Sequence, residues 1–229
     1  MIDRRETRFA VQLLRDQIGR RVYAAHRLDK GTSGVLLFAL NTEVARHLGQ
    51  QFEAQQPEKT YVAVVRGHPP EQGVIDHALT RKPDDYENPR QADSAASQPA
   101  ITRYQRLATT ELPFQVDPRY PASRYALVRL QPETGRRHQL RRHLKHLSHP
   151  IIGDATYGKG PHNRFFQQQF QCHRLLLACV ELRVKHPVTG RELPLQAPLS
   201  PDFAELLQAL GWHNCVPASW LPTTRQPLA

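Results

Sequence analysis

The spacing of hydrophobic residues predicts four helices along the chain. Within residues 6–18, apolar side chains recur every three or four positions, and Gly19 ends the run. This is the pattern of an amphipathic helix that closes on a glycine. Similar spacing predicts helices over 41–55, where Asn41 or Thr42 is the capping residue, over 135–147 and over 200–210.

Short apolar or β-branched runs that end in turn residues predict strands. The runs GVLLFAL over 34–40 and KTYVAVVRG over 59–67 are the clearest, and the first indicates a buried strand. Further strands are predicted over 73–79, 101–108 and 124–130, with two more in 175–198 on either side of a turn at 186–190. Strands predominate and short turns join several neighbours, which predicts an α+β fold with a mixed, largely antiparallel central sheet flanked by helices and loops.

The same patterns divide the chain of 229 residues into one domain and two accessory segments. Residues 1–210 contain all the predicted elements and are numerous enough for a sizeable core. Residues 80–99 are polar, contain three prolines and lack periodicity, so we expect a long surface loop. Residues 211–229 are rich in proline and form a predicted C-terminal tail.

Composition adds a class of partner and a compartment. Lys and Arg number 31 against 21 Asp and Glu, a formal net charge of +10, which favours a polyanionic partner such as nucleic acid. No apolar run approaches the roughly 18 residues of a membrane span, and the N-terminus lacks the core of a signal peptide. The cysteines Cys172, Cys179 and Cys215 form no CxxC pair, as is typical of a reducing compartment. We therefore expect a cytoplasmic protein without membrane attachment.

Half of the net positive charge lies in one segment, GRRHQLRRHLKHLSH over 135–149. It contains four arginines, one lysine, four histidines and no acid. Arginine offers a planar fork to phosphate oxygens, so the segment suits RNA or DNA, although a solvated basic helix face explains it almost as well. A metal site is disfavoured because no HExxH motif and no cysteine or carboxylate pair accompanies the histidines. The chain also lacks GxGxxG and GxxxxGK[ST], which disfavours dinucleotide or ATP chemistry.

A second candidate for chemistry is Asp29, in the stretch HRLDKGTSG over 26–34. A carboxylate close to arginine stays ionised and is available as a nucleophile toward a sugar carbon or an electron-poor ring. The alternative is a surface ion pair of Asp29 with Arg27 or Lys30, which would contribute little. These residues alone leave both interpretations open.

Three stretches in the same order resemble the RluA-type pseudouridine synthase family. They are HRLDKGTSG, KTYVAVVRG and, over 134–158, TGRRHQLRRHLKHLSHPIIGDATYG. They match the family's HRLD, K-x-Y, GR-x-HQ-[IL]-R-x-H and HP-I-x-GD motifs, and the resemblance covers about 22–199. It implies the pseudouridine synthase fold and a catalytic domain that breaks the bond from ribose to N1 of a uracil in RNA, turns the base and rejoins it through C5, without a cofactor or metal.

The resemblance also implies roles for individual residues. Asp29 would be the nucleophile, on the base or the ribose, or would act in an elimination through a glycal. Tyr61 would pack against the base and help remove the C5 proton, and Arg141 would pair with Asp29. Base flipping would place Arg27 in the space that the uridine leaves in the RNA. The residues expected to border the substrate RNA are His26, Arg27, Arg136, Arg137, His138 and Gln139.

The C-terminal region, with FAELLQALGW over 203–212, is most similar to family members that modify tRNA, which implies the uridine at position 65 of tRNA as the target. A ribosomal RNA target is the nearest alternative. Family members carry two further strands with a Lys-Pro-x-Gly motif before the first helix, so we expect an N-terminally shortened domain that lacks them. A non-catalytic RNA-binding protein is therefore a third hypothesis. We expect a monomer without an obligatory protein partner.

Overall fold

The computed structural model describes residues 9–81 and 96–223. Its helices are α1 (Ala10–Ile18), α2 (Thr42–Glu53), α3 (Gln139–His146), α4 (Gly160–Phe170) and α5 (Pro201–Ala209), followed by 3₁₀ turns at His213–Cys215 and Ala218–Trp220. Within these ranges no helix has the length and apolar character that a membrane span needs. The start of the predicted helix over 6–18 and most of the predicted loop over 80–99 lie outside the described residues.

Eleven strands are present in the described residues. In chain order they are β1 (Tyr23–Ala24), β2 (Ser33–Gly34), β3 (Phe38–Ala39), β4 (Glu58–Arg66), β5 (Gln72–Asp76), β6 (Leu79–Thr80), β7 (Ser97–Gln98), β8 (Ile101–Leu112), β9 (Ser123–Pro132), β10 (Leu177–Lys185) and β11 (Glu192–Gln196). Seven of them form the central sheet, in the order β11-β10-β4-β9-β8-β5, and β2 is attached to β10. Every pairing along that order is antiparallel, and only β2 runs parallel to its neighbour. The predicted α+β class with a mixed, largely antiparallel sheet is confirmed.

The predicted buried strand over 34–40 is wrong, because the segment breaks into β2 and β3. At Gly34, with φ of +110°, the backbone lies so close to Cys179 of β10 that a side chain would overlap the Cys179 carbonyl. The parallel pairing with β10 covers only Ser33 and Gly34. Beyond it, the amide of Leu37 donates to the ring of His26 instead of to a strand. Hydrophobicity correctly predicted that Val35 and Ala39 are buried. It did not predict that the Leu37 amide bonds to a side chain and not to a strand.

The central strand β4 divides the core into two layers. Val62 and Val64 pack on one face with residues of α4 and α5, and Ala63 and Val65 pack on the other with Leu140 and Leu144 of α3. This alternation is the two-residue period of a strand buried on both faces. A third cluster lies between α2 and β10. Helix α3 is thus held against the sheet by its leucines, which leaves its polar residues to form the site.

Two parts of the core were not predicted from the sequence. Helix α4 has a weak apolar stripe, but its Phe166 is 1% exposed and packs against Tyr125 of β9. Trp212 and Trp220, in the predicted tail, are also buried, and the indole of Trp220 donates to Glu181 at 2.9 Å. Isolated aromatic residues among polar ones carry no periodic pattern, so only their tertiary contacts reveal them.

Candidate active site

A cavity of about 350 Å³ lies beside the first half of β4. Three segments that are distant in sequence form its walls: the irregular stretch after β1 with Arg27 and Asp29, the start of β4 with Lys59 and Tyr61, and the turn that leads from β9 into α3. All three segments carry the motifs that the sequence singled out. The fold therefore brings the candidate residues into one concave site.

The turn before α3 is organised by Gln139. Its side-chain oxygen accepts from the Thr134 hydroxyl at 2.7 Å and from the Arg136 amide at 2.9 Å, and its side-chain nitrogen donates to Ile101 and Thr102 of β8. These bonds use the full hydrogen-bonding capacity of the amide. Gln139, predicted to border the substrate, lines the cavity wall but mainly fixes the turn. Helix α3 consequently begins at Gln139, and not at the predicted residue 135.

Arg141 connects the candidate nucleophile to a second carboxylate. Its Nε and Nη2 donate to the two oxygens of Asp154 at 2.7 and 2.9 Å, and its Nη1 lies 3.8 Å from Oδ2 of Asp29. The side chain of Asp154 is fully buried, whereas that of Asp29 is 23% exposed. The bidentate pair fixes the plane of the guanidinium, so one edge of Arg141 is anchored while Nη1 faces Asp29.

The anchor itself is held by the loop after α3. Asp154 accepts two further hydrogen bonds from the amides of Thr156 and Tyr157, at 2.8 and 2.9 Å. Burial opposes the charge on Asp154, but the hydrogen bonds from Arg141 and these amides outweigh it and lower its pKa. Burial likewise opposes the charge on Arg141, and its bonds to Asp154 together with the charge of Asp29 raise its pKa. Both groups therefore stay charged in a site that excludes much of the solvent.

Tyr61 lines the cavity as a neutral phenol. Burial, and after it the neighbouring Cys179 thiol, raise the pKa of Tyr61 well above its ordinary value. Burial also raises the pKa of Cys179 to about 11, so this pair is uncharged at neutral pH. A neutral phenol can pack against a base and donate a hydrogen bond, but it is a weak proton acceptor. Nearby, burial lowers the pKa of Lys59 on the same cavity wall.

His26 supports the loop that carries Asp29. Its ring stacks on Phe52 of α2 with centroids 4.7 Å apart, and its Nε2 accepts from the Leu37 amide at 3.0 Å. Burial lowers the pKa of His26 to about 4. The ring is therefore neutral and occupied by protein contacts, although it lines the cavity as the predicted RNA contact would.

The remaining predicted substrate residues surround the opening of the cavity. Arg27 is exposed and lines it, as do Arg136 and Arg137 from the turn before α3. Arg136 donates from Nε to the Pro99 carbonyl at 3.1 Å. His138 adopts φ of +56° and directs Nδ1 to the Tyr157 hydroxyl at 3.0 Å, behind Arg141. The structure thus places three arginines at the cavity and His138 in the support of the Arg141 anchor.

Asp154, Lys59 and Cys179 were given no role from the sequence. The first two lie in the stretches that carry the family resemblance. The signal in the sequence for Asp154 was its place at the end of the HP-I-x-GD motif, shortly after the basic segment. Cys179 looked like any core residue of a strand. Within the described ranges, no group of three or more histidine, cysteine, aspartate or glutamate side chains is arranged to hold a metal ion.

Comparison with known proteins places this geometry in a family. The family model described as RNA pseudouridylate synthase matches residues 2–146. Proteins named tRNA pseudouridine synthase C from Pectobacterium carotovorum and Yersinia pestis are 49% and 47% identical over 216 residues, or 94% of this chain. The matched region spans 57% of the Pectobacterium protein and 84% of the Yersinia protein.

Solved structures agree with the sequence comparison. Human RNA Pseudouridylate Synthase Domain Containing 1 superposes with a TM-score of 0.63 at 26% identity, covering 86% of this chain and 83% of that one. Human RNA Pseudouridylate Synthase Domain Containing 4 gives 0.62 at 27% identity, covering 88% and 80%. The predicted resemblance is confirmed: the chain belongs to the RluA-type RNA pseudouridylate synthase family.

Proposed function

We propose that this protein isomerises a uridine in tRNA to pseudouridine, with Asp29 as its nucleophile. The observation that carries the proposal is the placement of the Asp29 carboxylate in a cavity, 3.8 Å from a guanidinium that Asp154 holds in place. The fixed positive charge attracts the carboxylate and so helps to hold it in the cavity that the substrate would enter. The tRNA substrate is supported by the names of the relatives, and position 65 by the resemblance alone.

The reaction moves the uracil without net change in atoms. The bond from ribose C1′ to N1 breaks, a bond from C1′ to C5 forms, N1 gains a proton and C5 loses one. Asp29 would attack C1′ or the base, or would take a proton in an elimination through a glycal. The buried Tyr61 would hold the detached base in the cavity while it turns, as a neutral ring against its face.

The arginines at the cavity opening fit the step that exposes the uridine. A stacked or paired base must leave its helix before it can reach Asp29, at the expense of its stacking energy. The guanidinium of Arg27 is exposed beside the cavity and is planar, so it can stack in the space that the base leaves. Arg136 and Arg137 would contact the flanking phosphates.

The decisive experiment compares Asp29→Asn with Asp76→Asn, a control on the exposed edge of β5. Pseudouridine is mapped in total tRNA and rRNA after incubation with each purified protein. We expect Asp29→Asn to lose more than about 10⁴-fold in rate while keeping its affinity for RNA, because a nucleophile is lost without any change in shape. Asp76→Asn should match the parent protein.

Three results would contradict the proposal. Parent protein that binds tRNA but forms no pseudouridine would support a non-catalytic RNA-binding protein. Pseudouridine confined to rRNA would transfer the activity to the other RNA class. A rate for Asp29→Asn equal to that of Asp76→Asn would remove Asp29 from the chemistry.

A further inference from the structure

A second cavity, of about 530 Å³, lies at the far end of β4. Arg66, the last residue of β4, lines it and is about 17 Å along the strand from Tyr61 of the first cavity. Other walls come from Tyr120 and Arg124 around the start of β9, His149 after α3 and His162 of α4. None of these residues takes part in the proposed chemistry.

Arg66 is oriented by a neutral group. Its Nε donates to Nε2 of His162 at 3.1 Å, and Nδ1 of His162 lies 2.8 Å from the Tyr125 hydroxyl. His162 is only 5% exposed, and burial lowers its pKa to about 4. With Nε2 accepting, the neutral ring carries its proton on Nδ1 and donates to Tyr125. The anchor therefore fixes the Arg66 guanidinium without neutralising its charge.

Arg66 shares its nearest carboxylate, Asp117, with a second arginine. Oδ2 of Asp117 lies 3.8 Å from Nη2 of Arg66, beyond hydrogen-bond distance. The two Asp117 oxygens instead accept from Nε and Nη2 of Arg119 at 3.0 and 2.7 Å. One carboxylate thus faces two guanidiniums, which leaves net positive charge around Asp117. A half-buried guanidinium that is held in place, faces a cavity and shares its carboxylate is suited to an anion from outside, above all a phosphate.

An aromatic ring and a close backbone approach complete the cavity. Tyr120 is 50% exposed, and the Arg119 guanidinium lies over its ring, 5.6 Å from the centroid, so a base would stack on the opposite face. Nδ1 of His149 donates to the Arg66 carbonyl at 2.9 Å. Gly67, with φ of +79°, makes room for that ring, because a Cβ there would lie 2.8 Å from Nδ1 of His149. A guanidinium and an exposed aromatic ring in one cavity match the phosphate and the base of a nucleotide.

Helix α3 joins the two cavities. It begins at Gln139 in the wall of the first and ends at His146, just before Ser148 and His149 in the wall of the second. At about 1.5 Å per residue it spans about 12 Å. Its exposed side chains include Lys145, a cation that could contact the phosphates of an RNA extending from one cavity to the other. One RNA strand or stem could therefore contact both cavities.

We propose that the second cavity binds a nucleotide of the RNA substrate away from the target uridine, with its phosphate at Arg66 and its base against Tyr120. The proposal rests on the proposed function insofar as RNA is the substrate. It assigns the cavity to substrate affinity, whereas Asp29 and its neighbours carry out the reaction.

The test compares Arg66→Gln and Tyr120→Ala with a control, Arg103→Gln. Arg103 lies on β8 and is paired with Glu133. The RNAs are whole tRNA and a short stem-loop that contains the target uridine but is too small to reach the second cavity. For tRNA we expect KM to rise about 10-fold in each cavity variant with kcat unchanged, and no change for the stem-loop. Arg66→Gln should also reduce the slope of log Kd against log salt concentration by about one.

Binding is measured separately from activity, by fluorescence anisotropy of labelled tRNA with each change placed in the Asp29→Asn protein. A parent protein without activity would then contradict the proposed function and leave the binding result to decide this inference. Parent-like Kd and salt dependence in both cavity variants would overturn it. Should Arg66→Gln lower the melting temperature strongly, Tyr120→Ala at its exposed position decides alone: weaker tRNA binding supports the cavity, and unchanged binding overturns it.

Discussion

Arg141 and Arg66 are both held by a buried side chain, but the two anchors differ in charge. Arg141 donates two hydrogen bonds to the carboxylate of Asp154, at 2.7 and 2.9 Å. Arg66 donates one, at 3.1 Å, to the neutral imidazole of His162. The first arginine therefore belongs to a compensated pair and lies 3.8 Å from a further carboxylate, Asp29. The second has only Asp117 at 3.8 Å, a carboxylate that it shares with Arg119, so positive charge exceeds negative charge beside its cavity.

This difference indicates what each site can do. Arg141, between two carboxylates, adds little net positive charge to the first cavity, so it does not itself attract an anion to the place where a neutral uracil would bind. A neutral anchor gives Arg66 a fixed orientation at lower desolvation cost than a buried ion pair. Its charge then remains available for a phosphate. The choice of anchor thus separates a site for chemistry from a site for binding.

Removing the charge of the first anchor should have the largest effect on stability. Asp154→Asn leaves Arg141 buried without its partner, so we expect the free energy of unfolding to fall by about 3 kcal/mol. The guanidinium also loses its fixed plane, so kcat should fall about 100-fold at a temperature where the variant is folded, with KM little changed. Urea unfolding and single-turnover kinetics measure the two effects.

The matched control is Asp202→Asn, which breaks the more exposed pair with Arg174. It should cost less than about 1 kcal/mol and leave kcat unchanged. If Asp154 had only a structural role, Asp154→Asn would be less stable but its folded fraction would keep the parent kcat. That result would contradict a positioning role for Asp154.

The first site was easier to predict from sequence than the second, for a physical reason. Asp29, Tyr61 and Arg141 lie in stretches of recognisable pattern, and the strand of Tyr61 and the helix of Arg141 have clear periodicity. The pairing of Gly34 with β10 and the hydrogen bond from the Leu37 amide to His26 accompany the split of the predicted strand over 34–40, and both are tertiary contacts that local sequence does not encode. The second cavity likewise assembles Arg66 and His162 from elements 96 residues apart. One of these, α4, has no strong periodic pattern.

Each site contains a neutral histidine, and both should make stability depend on pH. Burial lowers the pKa of His26 and of His162 from 6.5 to about 4. Between these values the unfolded chain binds more protons than the folded one, so the stabilisation is fully present above pH 6.5 and is lost as the pH falls toward 4. We expect a loss on the order of 2 kcal/mol for each histidine between pH 7 and pH 4.5.

Urea unfolding of parent protein and His162→Gln at both pH values separates the second site from the rest of the protein. The glutamine does not titrate, so the variant should lose on the order of 2 kcal/mol less than the parent over the same interval. An equal loss in both proteins would show that His162 does not remain neutral in the folded state.

The smallest expected effect on tRNA binding concerns the packing behind Arg66. Gly67→Ala places a methyl group 2.8 Å from Nδ1 of His149 at a φ of +79°, so it adds a steric clash to the strain of a left-handed backbone. Gly190→Ala, at φ of +67° with no atom within 4 Å, has the strain alone. We expect about 1 kcal/mol of destabilisation for Gly190→Ala and about 1 kcal/mol more for Gly67→Ala.

The clash should push His149 away from the Arg66 carbonyl and so disturb the second cavity without removing a charge. Gly67→Ala is therefore expected to raise KM for tRNA about 2-fold, less than Arg66→Gln, while Gly190→Ala leaves it unchanged. Calorimetric melting and steady-state kinetics on tRNA measure both quantities. Equal stability and equal KM in the two alanine variants would mean that the His149 contact contributes nothing to the cavity, and that Arg66 depends on His162 alone.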